Sequence, residues 1–489
     1  MYNQQQNEQE ETAESNETTS LLHHVAKEVK EESKSNQQTH QIMRNFILFS
    51  ILFSIHHGTV TACLHLASAR LGDIGAWQTG TLYLTYTGSA LFGATYVVMT
   101  LGARNAATLG MTIYCTYIGC FYLATMATTP PSLVIPICIV GAAIGGIGGG
   151  FVWTAQGAYF TRASEEYAAS SLDKKSISDA NSMLGGIFAC IYLLGEVTLN
   201  LFSTVSVKVF NLTWSQVYGV YFSLAVMSVL GMMTFVQNFK YDEVDKKHQE
   251  QHAFKKATAA AQLFFNDPKM KYMIGLNAAF GFSSAFLNSF VFGEVLTLSS
   301  SLKNPSAVVG IFGSVVASVA AIMSIVFGAI ACKKGKGFVL NIGAWSFFMV
   351  PFLFVIKPNT ESWGWFSLLF VSVMMGVGRA TFESTLRAVF ADFFSHEKEG
   401  AFANIIVQSG VSSVVGFWLS VNLPCHHSGM YCIKFRDGGL HNTLAFEVIT
   451  MVTSLFAIFG FRRAAALYRQ EMRVDESTKD VQRINTLAV

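Results

Sequence analysis

The chain of 489 residues carries 33 Lys and Arg against 31 Asp and Glu, and a net charge of +2 offers no polybasic face for nucleic acid. Charged residues make up 13% and hydrophobic ones 51%. That charged share is about half the ~25% usual for soluble domains, so a protein inserted in the lipid bilayer is expected. The 41 Phe, and 40 Gly against 8 Pro, suit close-packed membrane helices.

Residues 1–44, rich in Gln, Glu, Ser, Thr and Asn, read as a disordered cytosolic tail without a cleavable signal. Within it, Glu17-Thr18-Thr19-Ser20-Leu21-Leu22 fits an acidic dileucine sorting signal, with Glu17, Leu21 and Leu22 as its determinants. Such a signal leads from the secretory route or plasma membrane to endosomes or lysosomes. Apolar blocks long enough to cross a membrane, which takes about 20 residues each, follow at 45–69, 76–101, 106–126, 131–160, 181–204 and 214–236. A cytosolic central loop, 237–270, is expected next, and its second part could form a helix lying on the membrane surface. Six more blocks lie at 271–296, 305–331, 338–357, 364–390, 400–423 and 442–461, before a cytosolic tail at 462–489. The expected fold is an all-α membrane protein of twelve transmembrane helices in two six-helix bundles, 45–236 and 271–461.

With both termini cytosolic, the inward segments hold 25 Lys and Arg; Arg70, Lys208, Lys303, Lys357, Lys434 and Arg436 are the six on the outside. That bias sets the expected orientation. Six cysteines lie in or at the ends of spans, whereas Cys425 and Cys432 share an outward loop. A disulfide between them is the favoured reading; free thiols or a zinc site with His426, His427 or His441 are the alternatives. Asn211-Leu212-Thr213 is a glycosylation sequon in the outward loop between spans five and six.

Twelve spans in a 6 + 6 plan around a long central loop resemble the major facilitator superfamily. Leu101-Gly102-Ala103-Arg104-Asn105 looks like a reduced form of its Gly-and-Arg loop motif, and Cys332-Lys333-Lys334-Gly335-Lys336-Gly337 occupies the corresponding joint of the second half. Gly148-Gly149-Gly150-Phe151-Val152-Trp153-Thr154-Ala155-Gln156, with Tyr159-Phe160-Thr161 after it, resembles the signature of the uncoordinated-93-like family. Asn181 with Gly185, and Glu399-Gly400-Ala401-Phe402-Ala403-Asn404, match two further family motifs. The resemblance implies a major facilitator fold. It also implies a role in one of the fields to which members are tied: potassium-channel regulation, potassium homeostasis or trafficking of innate immune receptors.

Ionisable groups inside a bilayer are costly and usually face protein or water. Arg379, Glu383 and Arg387, spaced i, i+4, i+8, should form one stripe on span ten. In this superfamily the tenth helix lines the central cavity. The stripe then reads either as a latch between halves or as an anion, carboxylate or proton-coupling site. Glu196, alone in span five, must be protonated, paired across a helix interface, or wet. On span one, His57 could share a face with His65, while His56 points elsewhere. Trp153 and Gln156 share a face of span four and are expected to line the cavity, and Asn277 and Asn288 could glue helices together. The glycines of span four read as packing, because no strand precedes them and no Lys-Ser or Lys-Thr pair follows. No catalytic constellation is visible, so neither an enzyme nor a cofactor is expected. Two readings remain: a transporter moving a small solute or ion by alternating access, or a non-transporting regulator or chaperone of an ion channel or receptor. An ion-conducting channel is disfavoured because no pore loop is visible.

Overall fold

The computed structural model describes residues 2–171, 176–239, 260–302, 304–425, 429–435 and 439–487, with side chains described between Ser35 and Val474. The sorting signal at Glu17, Leu21 and Leu22 falls where only the backbone is described, while most of the central loop, and His426 and His427, lie outside these described residues.

Among the described residues, twelve long helices run in chain order. They are α1 Tyr2–Leu71, α2 Asp73–Phe92 with its continuation Ala94–Leu101, α3 Ala103–Ala124, α4 Pro131–Ser170, α5 Ile177–Lys208 and α6 Trp214–Phe235. The second set is α7 Pro268–Leu298, α8 Pro305–Lys334, α9 Lys336–Ile356, α10 Trp365–Phe393, α11 Lys398–Val421 and α12 Thr443–Leu487. Eleven are long and apolar enough to cross a membrane. The remaining one is α2, whose Gln78, Thr79, Thr81, Thr85 and Thr87 dilute its apolar character. A short helix at 260–266 precedes α7.

Helix ends follow from local chemistry. Thr213 and Gln216 form a capping box at the start of α6, and Pro131 and Pro305 open α4 and α8, where a missing N–H costs nothing. The α2–α3 and α8–α9 joints turn on Gly102 (φ 80°) and Gly335 (φ 87°), a region that favours glycine. Two joints six helices apart thus share one backbone conformation, as an internal repeat requires. Asn238, just beyond α6, clasps the first joint. Its Oδ1 accepts from the Arg104 backbone N–H at 3.1 Å, and its Nδ2 donates to the Leu101 carbonyl at 3.2 Å.

The span-four glycines form two packing faces. A Cβ on Gly148 would lie 2.6 Å from the Gly110 carbonyl oxygen of α3, and on Gly145 2.5 Å from Tyr117 Cβ. On the other face, Gly146 and Gly150 abut Thr85 and Ser89 of α2, each within 2.1 Å of a would-be Cβ. With no hydrophobic drive between helices in lipid, such close backbone approach supplies the dispersion contacts that hold α2, α3 and α4 together. Helix α4 also runs to Ser170, beyond the expected end near 160. Arg162 pairs along it with Glu165 and Glu166, and Thr39 of α1 donates to the Ser170 carbonyl at 2.8 Å.

The two six-helix halves meet along α1–α7, α2–α11 and α5–α8. One end of the molecule carries the antiparallel hairpin β1 Cys432–Lys434 and β2 Leu440–Asn442; the other carries the ends of α1 and α12 that lead to the chain termini. We call these the hairpin end and the tail end. The halves interlock towards the hairpin end. Ser314 Oγ donates to the Val197 carbonyl at 3.0 Å, Ser306 Oγ to the Ala69 carbonyl at 3.3 Å, and a Cβ on Gly310 would meet the Asn200 carbonyl at 2.1 Å. Among the described residues, the polar ties at the tail end stay within a half. Lys336 bonds Asp392, Lys269 bonds Glu471, and the Gln237 backbone N–H donates to Asn45 Oδ1. Helix α4 packs on α1, α2, α3 and α5, while α10 packs on α7, α8, α9 and α11.

Candidate functional site

Three charged residues of the span interiors, Glu196, Arg379 and Glu383, meet where α5 faces α10. Arg379 forks onto Glu196, with Nη1 donating to Oε1 at 2.5 Å and Nη2 to Oε2 at 2.7 Å. Its Nε donates to Glu383 Oε1 at 2.8 Å. A planar guanidinium suits this arrangement, since its edges can serve two carboxylates at once. The Glu196 side chain is 1% exposed, Arg379 14% and Glu383 24%. One arm of the triad is therefore sealed in the interface between halves, and the other is reached from outside. With all three ionised, the triad carries one surplus negative charge, on the more accessible side.

The stripe expected on α10 passes through a π-helical turn at Thr381–Leu386, a widened turn of the kind found at functional sites. Arg387 is exposed, and Glu383 turns to Arg379 instead. The second π-helical stretch, Phe286–Val295 in α7, lies where that helix packs against α1 of the other half.

The histidines separate. His57 sits edge-on to Trp153 at 5.0 Å between ring centres and tilted against Tyr192 at 5.4 Å. Its Nδ1 is buried with no hydrogen-bond partner among the described residues. His65, two turns along, donates from Nδ1 to Asn200 Oδ1 at 2.8 Å and edges Phe292 of α7. His56 points away, its Nε2 donating to the Met111 carbonyl at 3.0 Å. Trp153 and Gln156 are half-buried on α4, with Trp153 holding Phe53, His57 and Tyr192 in one aromatic cluster.

Asn277 is fully buried away from the triad, donating from Nδ2 to Gln408 Oε1 of α11 at 2.6 Å. Asn288 donates within its own helix to the Ser284 carbonyl. Asn404 of the Glu-x-Ala-Phe-Ala-Asn motif donates to the Ala260 carbonyl at 2.9 Å and so ties α11 to the short helix 260–266. Cys425 and Cys432 are joined in a disulfide with Cα atoms 5.9 Å apart, closing a short loop that leads into β1. Asn211 is exposed in the turn between α5 and α6, with φ 52°. Among the described residues no group of His, Cys, Asp and Glu is arranged to hold a metal ion.

The sequence reading did not single out Tyr192 or Asn200 beside this site. Nor did it join Glu196 to Arg379. Their separation of 183 positions carries no local signal; only the unmatched charge on each span hinted at a partner.

Comparison with known proteins agrees with this architecture. UNC93-like protein 3 of Arabidopsis thaliana is 23% identical over 414 residues, covering 82% of this chain and 85% of that one. Protein unc-93 homolog A of Homo sapiens is 22% identical over 424 residues, covering 79% and 88%. Among solved structures, the nucleoside transporter NupG aligns with a TM-score of 0.59 at 12% identity, over 86% of this chain and 98% of that one. The inward open conformation of the xylose transporter XylE from E. coli gives 0.56 at 11%, over 87% and 96%. Both likenesses establish a major facilitator fold. A family profile described as ion channel regulatory protein UNC-93 matches residues 74–434, and the chain therefore belongs to the UNC-93 family.

Proposed function

We propose that this protein moves a small solute or ion across a membrane by alternating access, with the Glu196–Arg379–Glu383 triad as its working charge. The reading rests on a single observation: a buried bidentate ion pair bridges the two halves, and a second, more accessible carboxylate shares the same guanidinium. The sealed pair fixes the halves in one arrangement. Glu383 is the group that an arriving proton or cation reaches first, because the surplus charge of the triad is negative and lies on its side. Neutralising Glu383 leaves Arg379 held by Glu196 alone, so occupancy at one carboxylate alters the tie between halves. This coupling is what a rocking transporter needs.

The interlocked hairpin end and the unlinked tail end support access from the side of the chain termini. The charge bias of the loops favours a cytosolic side there, and the signal at Glu17, Leu21 and Leu22 favours the plasma membrane or endosomes and lysosomes. The description of the family as ion channel regulatory favours a second reading, in which the same two-state bundle acts on a channel or receptor partner without transport. Reconstituted vesicles separate the two. Potassium or proton flux above that of empty vesicles, abolished in Glu383→Gln, is expected of the transporter. A folded protein that carries neither ion nor any of a wider solute panel would refute it in favour of the regulator.

A further inference from the structure

A furrow of about 530 Å³ lies on the outer surface of the C-terminal half, away from the triad. Phe338, Ile342, Trp345 and Met349 of α9 line it, with Met374 of α10 on one flank and Arg462 of α12 at one end. Phe338 is 44% exposed and Trp345 51%, so these rings have no protein cover in the monomer. In a spanning helix this surface faces hydrocarbon.

Three features set it apart from an ordinary lipid-facing surface. Its length fits one leaflet: from Phe338 to Met349 the helix rises about 16 Å at 1.5 Å per residue, against about 15 Å for half of a 30 Å hydrocarbon core. Its tail-side mouth is cationic. Arg462 sits where Phe461 packs against the start of α9, a Cβ on Gly337 being only 2.6 Å from that ring, and Lys334 Nζ lies 5.1 Å over the Phe338 ring. Lys336 close by is engaged by Asp392, but among the described residues neither Arg462 nor Lys334 has a carboxylate partner. Finally, Asn341 also lines the furrow, and its Oδ1 is buried without a hydrogen-bond donor among the described residues. An orphaned acceptor one turn along α9 from Phe338, over which Lys334 lies, suits a headgroup offering both a phosphate and a hydroxyl.

We propose that this furrow binds an anionic glycerophospholipid from the leaflet on the tail side, its phosphate on Arg462 and Lys334 and one acyl chain along Trp345. Basic sites between membrane helices at the headgroup level bind anionic lipids by this combination of charge and apolar contact. The site is independent of whether the protein transports.

Native mass spectrometry of the detergent-purified full chain, titrated with dioleoyl phosphatidylglycerol or dioleoyl phosphatidylcholine, tests it. Retention of phosphatidylglycerol, but not of phosphatidylcholine, is expected in wild type. Arg462→Gln should weaken retention about tenfold, and Arg462→Lys should restore most of it. The neighbouring exposed Arg463→Gln should leave it unchanged, and Ile342→Trp, which fills the furrow with the cations intact, should also abolish it. Melting curves establish that each variant is folded before its binding is read. Equal retention of both lipids, equal loss in Arg462→Gln and Arg463→Gln, or displacement of lipid by a dimer of the chain would overturn the proposal.

Discussion

Replacing Glu196 with Gln keeps the side-chain shape and removes the charge that faces Arg379 across the halves. The two bonds at 2.5 and 2.7 Å are both charge-assisted, and the Glu196 side chain is 1% exposed. Breaking a buried pair by neutralising one partner typically costs about 3–5 kcal/mol, because the other charge is left without compensation. Here Arg379 keeps Glu383 at 2.8 Å, so the lower end, about 3 kcal/mol, applies. Arg379→Gln leaves two carboxylates facing no cation and should cost at least as much. The double variant removes both buried charges, and its loss should fall well short of the sum. A double-mutant cycle of unfolding in mixed detergent–SDS micelles reads this directly, with a coupling of about 2–3 kcal/mol expected. A coupling within about 0.5 kcal/mol of zero would mean that the fork contributes nothing as a pair, and the latch would fall with it.

Four shorter tests address other parts of the structure. Gly310→Val sets a side chain where a Cβ already lies 2.1 Å from the Asn200 carbonyl, so α5 and α8 must part. In that background a His65→Cys reporter should become labelled by a bulky thiol reagent applied from the hairpin side, and unchanged protection would contradict the interlocked end. Gly102→Ala should cost about 1–2 kcal/mol, since φ 80° disfavours a side chain, whereas Gly88→Ala, with open space around it, should be neutral or slightly stabilising. Equal effects would show that the joint is not constrained. For the disulfide, mass-tagged maleimide on denatured protein should add two more labels after reduction, and Cys425→Ser should loosen the hairpin by about 2–3 kcal/mol from loop-closure entropy. An identical label count before and after reduction would exclude the bond. Asn211→Gln should remove any mobility shift caused by an endoglycosidase in protein made in eukaryotic cells; a shift that persists in the variant would place the glycan elsewhere.

The fold was legible in the sequence because lipid leaves few options. A chain that is 51% hydrophobic and only 13% charged, cut into blocks of membrane length, has to satisfy its backbone inside helices. Charge bias and the two Gly joints then suggested orientation and repetition. Local motifs also carried the family, since the Gly-rich run of α4 and the Asn404 step are packing devices whose residues lie close together in the chain. Helix ends were read less well: α4 runs past its expected end because polar surface residues such as Arg162 and Glu166 continue a helix as readily as they form a loop.

Sequence by itself also marked Glu196, Arg379 and Glu383 as costly charges in need of partners. It could not say that Arg379 reaches across the molecule to Glu196, nor that α10 takes a wide turn at Thr381–Leu386. Those facts depend on how α5 is set against α10 and on hydrogen-bond slippage within one helix. Both are settled by packing between distant segments, and spacing along the chain does not encode them.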